Sequence, residues 1–85
     1  MELSDYRLIR MVRKMRNLTL IQMGEVMQIS EKTLSKIECG HIEFTPLYQS
    51  KFIEGCKKLN VSPIEIASIK ILLEVSEGKH HVKSE

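Results

Sequence analysis

Apolar residues recur at three- and four-residue spacing along this chain, and nowhere alternate singly as a half-buried strand requires. Leu8, Ile9, Val12 and Met15 form the first stripe, with Arg7, Arg10 and Lys14 on the other side. The pattern predicts a helix over about Ser4–Arg16. Asp5 would sit near its positive end, and Arg13, Lys14 and Arg16 near its negative end. Met23, Val26 and Met27 make a second stripe. Thr19-Leu20-Ile21-Gln22 ahead of it has the form of a capping box, and Leu18 and Met23 occupy hydrophobic-staple positions. Leu34 and Ile37 seat a short third helix, capped by Ser30 and ended by Gly40. After a loop from Cys39 to Thr45, Thr45-Pro46 opens a fourth helix with Tyr48, Phe52, Cys56 and Leu59 on one face. Asn60 ends it. Ser62-Pro63-Ile64-Glu65 is a second capping box, and a fifth helix follows to about Val75.

Two details complicate this simple helical series. Gly24 lies inside the second helix, where glycine costs roughly 1 kcal/mol relative to alanine. That cost is justified if another backbone must pass close by. The fifth helix carries two apolar stripes: Ile66, Ile69 and Leu73 on one side, and Ile64, Ile71 and Val75 on the opposite side. Lys70 and Glu74 lie on one flank between them, Glu65 and Leu72 on the other. One stripe covers the core. The other either joins two copies of the chain through Ile64, Ile71 and Val75, or lies deeper in a five-helix bundle than a surface helix would. Residues 76–85 are small and charged without periodicity, and are expected to form a flexible tail beyond a domain of residues 1–75. The expected architecture is all-α, a compact five-helix domain.

Composition narrows the choices of function. Eighty-five residues suffice for one small core. Aromatic residues make up only 5%, so that core must be aliphatic and rich in methionine. The net charge of +2 is modest, yet the first twenty residues hold Arg7, Arg10, Arg13, Lys14 and Arg16 against Glu2 and Asp5. Clustered charge of this kind suits either a solvated helix face or a nucleic-acid partner. Cys39-Gly-His41 and the pair His80-His81 supply too few ligands in place for a closed tetrahedral metal site. No metal, cofactor or catalytic site is expected. No apolar run approaches the ~18 residues of a membrane span. With no signal-peptide pattern, reduced cysteines and a cytoplasmic location are expected.

The order and spacing of several residues resemble the Cro/repressor-type (XRE-like) helix-turn-helix family of phage and bacterial regulators. They are Ile9-Arg10 and Arg13, Leu18-Thr19, Met23-Gly24, Ile29-Ser30, Thr33-Leu34-Ser35-Lys36-Ile37-Glu38, Gly40, Pro46 and Leu59-Asn60-Val61-Ser62. The stretch from Ile9 to about Ala67 covers most of the chain. The resemblance implies a repressor-like fold whose third helix enters the major groove of double-stranded DNA. It implies that Glu31, Lys32 and Lys36 face the bases. It places Arg10, Thr19 and Thr33 near phosphates, with His41 and Lys51 as further backbone contacts. It implies an ion pair between Arg13 and Glu38 that fixes the third helix. The expected function is sequence-specific transcriptional regulation, read as repression, by a homodimer on a pseudo-palindromic site in a bacterial cytoplasm or nucleoid.

The chain also departs from the family pattern. Leu20 stands where a phosphate-binding glutamine is common, beside Ile21 where charge is common. Alanine is usual at Gly24 and glycine at Gln28. An apolar rim at Leu20 and Ile21 suggests the alternative, a protein–protein module that docks on a regulator or recombinase.

Overall fold

The computed structural model describes residues 5–83, with side chains through residue 75. It is all-α, and among the described residues there is no strand. Five helices follow one another: α1 (Arg7–Met15), α2 (Leu20–Met27), α3 (Glu31–Glu38), α4 (Pro46–Lys58) and α5 (Pro63–Lys83). Local capping chemistry sets most of the boundaries. Thr19 Oγ1 accepts from the Gln22 N–H at 3.1 Å, while Gln22 Oε1 accepts from the Thr19 N–H at 2.9 Å. Ser62 and Glu65 repeat this reciprocal exchange at the start of α5. Ser30 and Thr45 cap α3 and α4 through their hydroxyl oxygens. Each exchange satisfies donors that the first helical turn cannot satisfy itself. Asn17, Gln28, Gly40 and Asn60 all take positive φ at or just past helix ends, the left-handed turn that closes a helix.

The core draws on every helix. Leu8, Ile9 and Val12 of α1 meet Met23 and Met27 of α2, Leu34 and Ile37 of α3, Phe52 of α4, and Ile66 and Ile69 of α5. All are essentially excluded from solvent. α2 packs against α3 and α4, and α1 against α3 and α5. The aromatic contribution comes partly from the loop: Phe44 is buried and meets Phe52 edge-on, with ring centroids 6.1 Å apart.

The structure departs from the sequence expectations in four places. α1 begins at Arg7, with Asp5 Oδ1 accepting from the Arg7 N–H at 3.0 Å, and Ser4 lies outside the described residues. Met15 is 44% exposed, because α1 ends there and the chain turns away through Arg16 and Asn17 before the stripe can close. Phe44 belongs to the core although it lies in a connection. α5 continues to Lys83 instead of ending at Val75, so residues 76–83 extend the helix where a tail was expected. Residues 84–85 of that tail lie outside the described residues.

The two interior glycines explain themselves by close approach. A Cβ at Gly24 would stand 2.8 Å from the carbonyl oxygen of Ile29, so the turn after α2 folds back directly over this residue. A Cβ at Gly55 would press on Val26 and Met27 at 3.1 and 3.4 Å, where α4 crosses α2.

Candidate functional site

α2 and α3 are short helices of eight residues each, joined through Gln28, Ile29 and Ser30. Gln28 takes φ 60°, which reverses the chain, and the Ile29 N–H donates to the Gly24 carbonyl at 2.9 Å. Two lysines of α4 then neutralise the carbonyl end of α2. Lys51 Nζ donates to Gln28 O at 3.4 Å, and Lys58 Nζ to Val26 O at 3.3 Å. Lys51, expected as a DNA-backbone contact, thus also donates to a helix end within its own fold.

The far end of α3 is held from α1. Arg13 Nε and Nη2 donate to the two carboxylate oxygens of Glu38 at 2.9 and 3.0 Å, and Nη1 donates to the Leu18 carbonyl at 3.2 Å. The Glu38 side chain is only 6% exposed. The two-pronged geometry leaves the guanidinium little room to turn, and this bond, with the opposing charge, holds the Arg13 pKa above its ordinary value. Glu38 is thereby spent inside the fold, and its charge is not offered outward. Past it, Gly40 at φ 76° lets the His41 N–H reach back to Lys36 O at 2.8 Å, and the Tyr6 ring packs over this glycine.

With both ends fastened and Leu34 and Ile37 buried, one face of α3 remains outside. At 100° per residue it carries Glu31, Lys32, Ser35 and Lys36. Glu31, Lys32 and Lys36 are exposed, and their side chains make no hydrogen bond or ion pair with any described residue. Ser35, part of the family-like string but not expected as a base contact, shares this face half-buried, between Glu31 and Lys32 in projection.

The residues expected near phosphates are not equivalent. The Thr19 and Thr33 hydroxyl oxygens both accept bonds, Thr19 from the Gln22 N–H and Thr33 from Ser30 Oγ at 2.9 Å, which leaves each its own hydrogen to donate. Arg10 is exposed and unpaired among the described residues. His41 is exposed in the loop after α3. In comparisons with protein-family models, curated proteins and solved structures, nothing matched this chain.

The apolar rim at the start of α2 divides in two. Leu20 is half-buried and packs against the core, so it is no free docking residue. Ile21, 56% exposed, stands alone there. On α5 the three residues expected at an interface, Ile64, Ile71 and Val75, are all exposed, and Leu72 joins them. The alternative of deeper burial in the bundle does not occur.

The remaining chemistry is sparse. Burial pushes the Cys56 thiol up to about 11, which keeps it protonated and inert, whereas Cys39 is exposed at the end of α3. Among the described residues, no cluster of three or more histidine, cysteine or acidic side chains could hold a metal ion. No helix among the described residues is long and apolar enough to cross a membrane.

Proposed function

We propose that this protein is a sequence-specific DNA-binding regulator, of the Cro/repressor type, that lays α3 in the major groove. The observation that carries the reading is the outward face of α3. It offers Glu31, Lys32 and Lys36 without internal partners, on a helix fastened at one end by the Gly24 turn and at the other by Arg13–Glu38. A rigid helix with uncommitted donors and an acceptor is what base readout needs, because each good base contact discriminates by about 1–3 kcal/mol only when its geometry is held. Lys32 and Lys36 donate to guanine O6 and N7. Glu31 accepts from cytosine N4 and repels phosphate elsewhere. Arg10, Thr19, Thr33 and His41 supply phosphate contacts that set the register. Two copies joined through Ile64, Ile71 and Val75 would read a pseudo-palindromic operator and repress by occupying it, in a bacterial cell.

Selection of bound duplexes from a random pool tests this, followed by affinity measurement across salt concentrations. The expected result is a defined half-site and a steep loss of affinity with salt through counterion release. Lys32→Ala with Lys36→Ala should flatten the base preference. Unchanged preference in that double variant would show the assignment of α3 to be wrong. Sedimentation of the wild type against Ile71→Glu reads the dimer: the variant should be monomeric. A second reading, a protein-docking module, is favoured by the exposure of Ile21. Its signature would be binding to a protein partner that barely responds to salt and is lost in Ile21→Glu.

A further inference from the structure

A second surface lies around the corner from the outward face of α3. A groove of about 410 Å³ runs between α1, the end of α3 and α5. Met11 and Leu73, both half-buried against the core, and the ring of Tyr6 give it an apolar lining. Its rim holds four ionic side chains, Arg7, Arg10, Lys14 and Glu38. Two of these are answered within the fold, Arg7 by Asp5 at 2.7 Å and Glu38 by Arg13 at 2.9 Å. Arg10 and Lys14 are not, for neither pairs with any described residue. The groove therefore presents two uncompensated cations over apolar walls. They stand one helical turn apart on α1, about 6 Å along its axis.

We infer that this groove docks an acidic amphipathic helix of a partner protein. A helix with carboxylates four residues apart repeats the ~6 Å spacing of Arg10 and Lys14. Apolar side chains on the same face would enter between Met11 and Leu73, the helix-in-groove mode of peptide recognition. Nucleic acid satisfies only half of these features: phosphates answer the cations, but a hydrated sugar-phosphate backbone gains nothing from Met11 and Leu73. The inference stands on the groove alone. One consequence rests on the DNA reading: Arg10 is shared with the phosphate path, so a docked helix and a duplex would exclude one another.

The test uses a labelled synthetic helical peptide, with glutamates four residues apart and leucines on the same face. Its binding to the full chain is first measured without DNA by fluorescence anisotropy. Binding is expected to weaken at least tenfold in Arg10→Glu/Lys14→Glu. Both positions are exposed, and thermal unfolding checks that the variant is folded. A matching peptide with lysines in place of the glutamates should restore binding to the variant and bind the wild type poorly. Methyl resonances of Met11 and Leu73 should shift on binding. No binding of the acidic peptide to the wild type overturns the inference, as does equal binding of the two peptides. So does a variant that loses duplex affinity while its response to the acidic peptide stays the same. Competition between peptide and selected duplex is measured last. Its absence, with peptide binding intact, would count against the phosphate role of Arg10 and leave the groove assignment standing.

Discussion

Two arginines three residues apart, Arg13 in α1 and Arg16 at its C-cap, grip two helices, and the helices are gripped differently. Arg13 holds α3 through a two-pronged pair with Glu38, whose side chain is 6% exposed. Arg16 holds the start of α5: it donates to the Leu59 and Asn60 carbonyls at 3.2 Å each and to Glu65 Oε1 at 2.8 Å, with the two side chains of the pair 27% and 32% exposed. At α3 the pair is backed by a backbone approach with no slack, the Gly24 turn. At α5 it is backed by a helix whose opposite face, Ile64, Ile71 and Val75, is bare. The difference teaches where this small fold spends its rigidity. The helix that offers polar groups outward is located from both ends, whereas the helix that offers apolar surface is located from one side.

The contrast predicts that α3 is the costlier helix to disturb. The largest effect is expected from Gly24→Leu. Its Cβ would meet the Ile29 carbonyl oxygen at 2.8 Å, and backbone cannot step aside as a side-chain end can. A loss of about 3 kcal/mol is expected, at the upper end of ordinary overpacking, read as a fall in the urea midpoint. Next comes Glu38→Ala, which leaves Arg13, its side chain only 15% exposed, without its carboxylate partner. Removing one partner of a fully buried pair costs roughly 3–5 kcal/mol, and partial access of solvent to Arg13 brings the expected loss down to about 2 kcal/mol. If Glu38→Ala proved neutral, α3 would be held by packing alone and the two grips would not differ.

The pairs compared here were unequally visible in the sequence. Capping exchanges are local, so Thr19–Gln22 and Ser62–Glu65 could be read directly from spacings of three residues. Burial periodicity likewise exposed the core stripes of the helices, except that Met15 is exposed and Val26 only half-buried. The Arg13–Glu38 pair spans 25 residues and came into view only through a family resemblance. Arg16–Glu65 spans 49 residues, and no pattern announced it. Glu65 was accounted for as a capping residue and Arg16 as a helix-end cation, and each does both jobs. Phe44 escaped because connections carry no periodicity. The end of α5 escaped for another reason: residues 76–83 carry no apolar periodicity, the signal that marks out the other helices. At the candidate site, the exposed residues of α3 could be named from the wheel. That Lys51 is bound to the end of α2, and Leu20 folded inward, depends on how α2 and α4 cross, which no local pattern encodes.

A smaller effect of opposite sign is expected in the turn itself. Gln28 holds φ 60° with its side chain exposed, a conformation that costs a non-glycine residue about 1–2 kcal/mol. Gln28→Gly removes that strain but adds freedom to the unfolded chain, which returns part of the gain. A net stabilisation of up to about 1 kcal/mol is expected in urea denaturation. The Lys51 bond should survive, because it uses the backbone carbonyl of residue 28. Destabilisation instead would mean that the glutamine side chain makes a contact that matters to the turn.

The smallest effect belongs to the looser grip, and its pH dependence identifies it. The Arg16 guanidinium beside Glu65, helped by the Ser62 N–H, holds the Glu65 carboxyl below the ordinary glutamate value of 4.5. A carboxylate whose pKa is depressed by folding lends stability above the unfolded value. That contribution is lost as pH falls through the folded value. Arg16→Ala removes the larger of the two causes, so the carboxyl should titrate closer to 4.5, while the Ser62 N–H still depresses it somewhat. The stability gap between wild type and Arg16→Ala should therefore be widest near neutral pH. It should begin to narrow as the pH falls below about 4.5, and its ionic part should vanish once the pH is below the lowered wild-type value, where Glu65 is neutral in both proteins. What remains of the gap at low pH measures the two carbonyl bonds to Leu59 and Asn60, which do not titrate. A gap that is constant with pH would assign the whole grip to those carbonyls and none of it to charge.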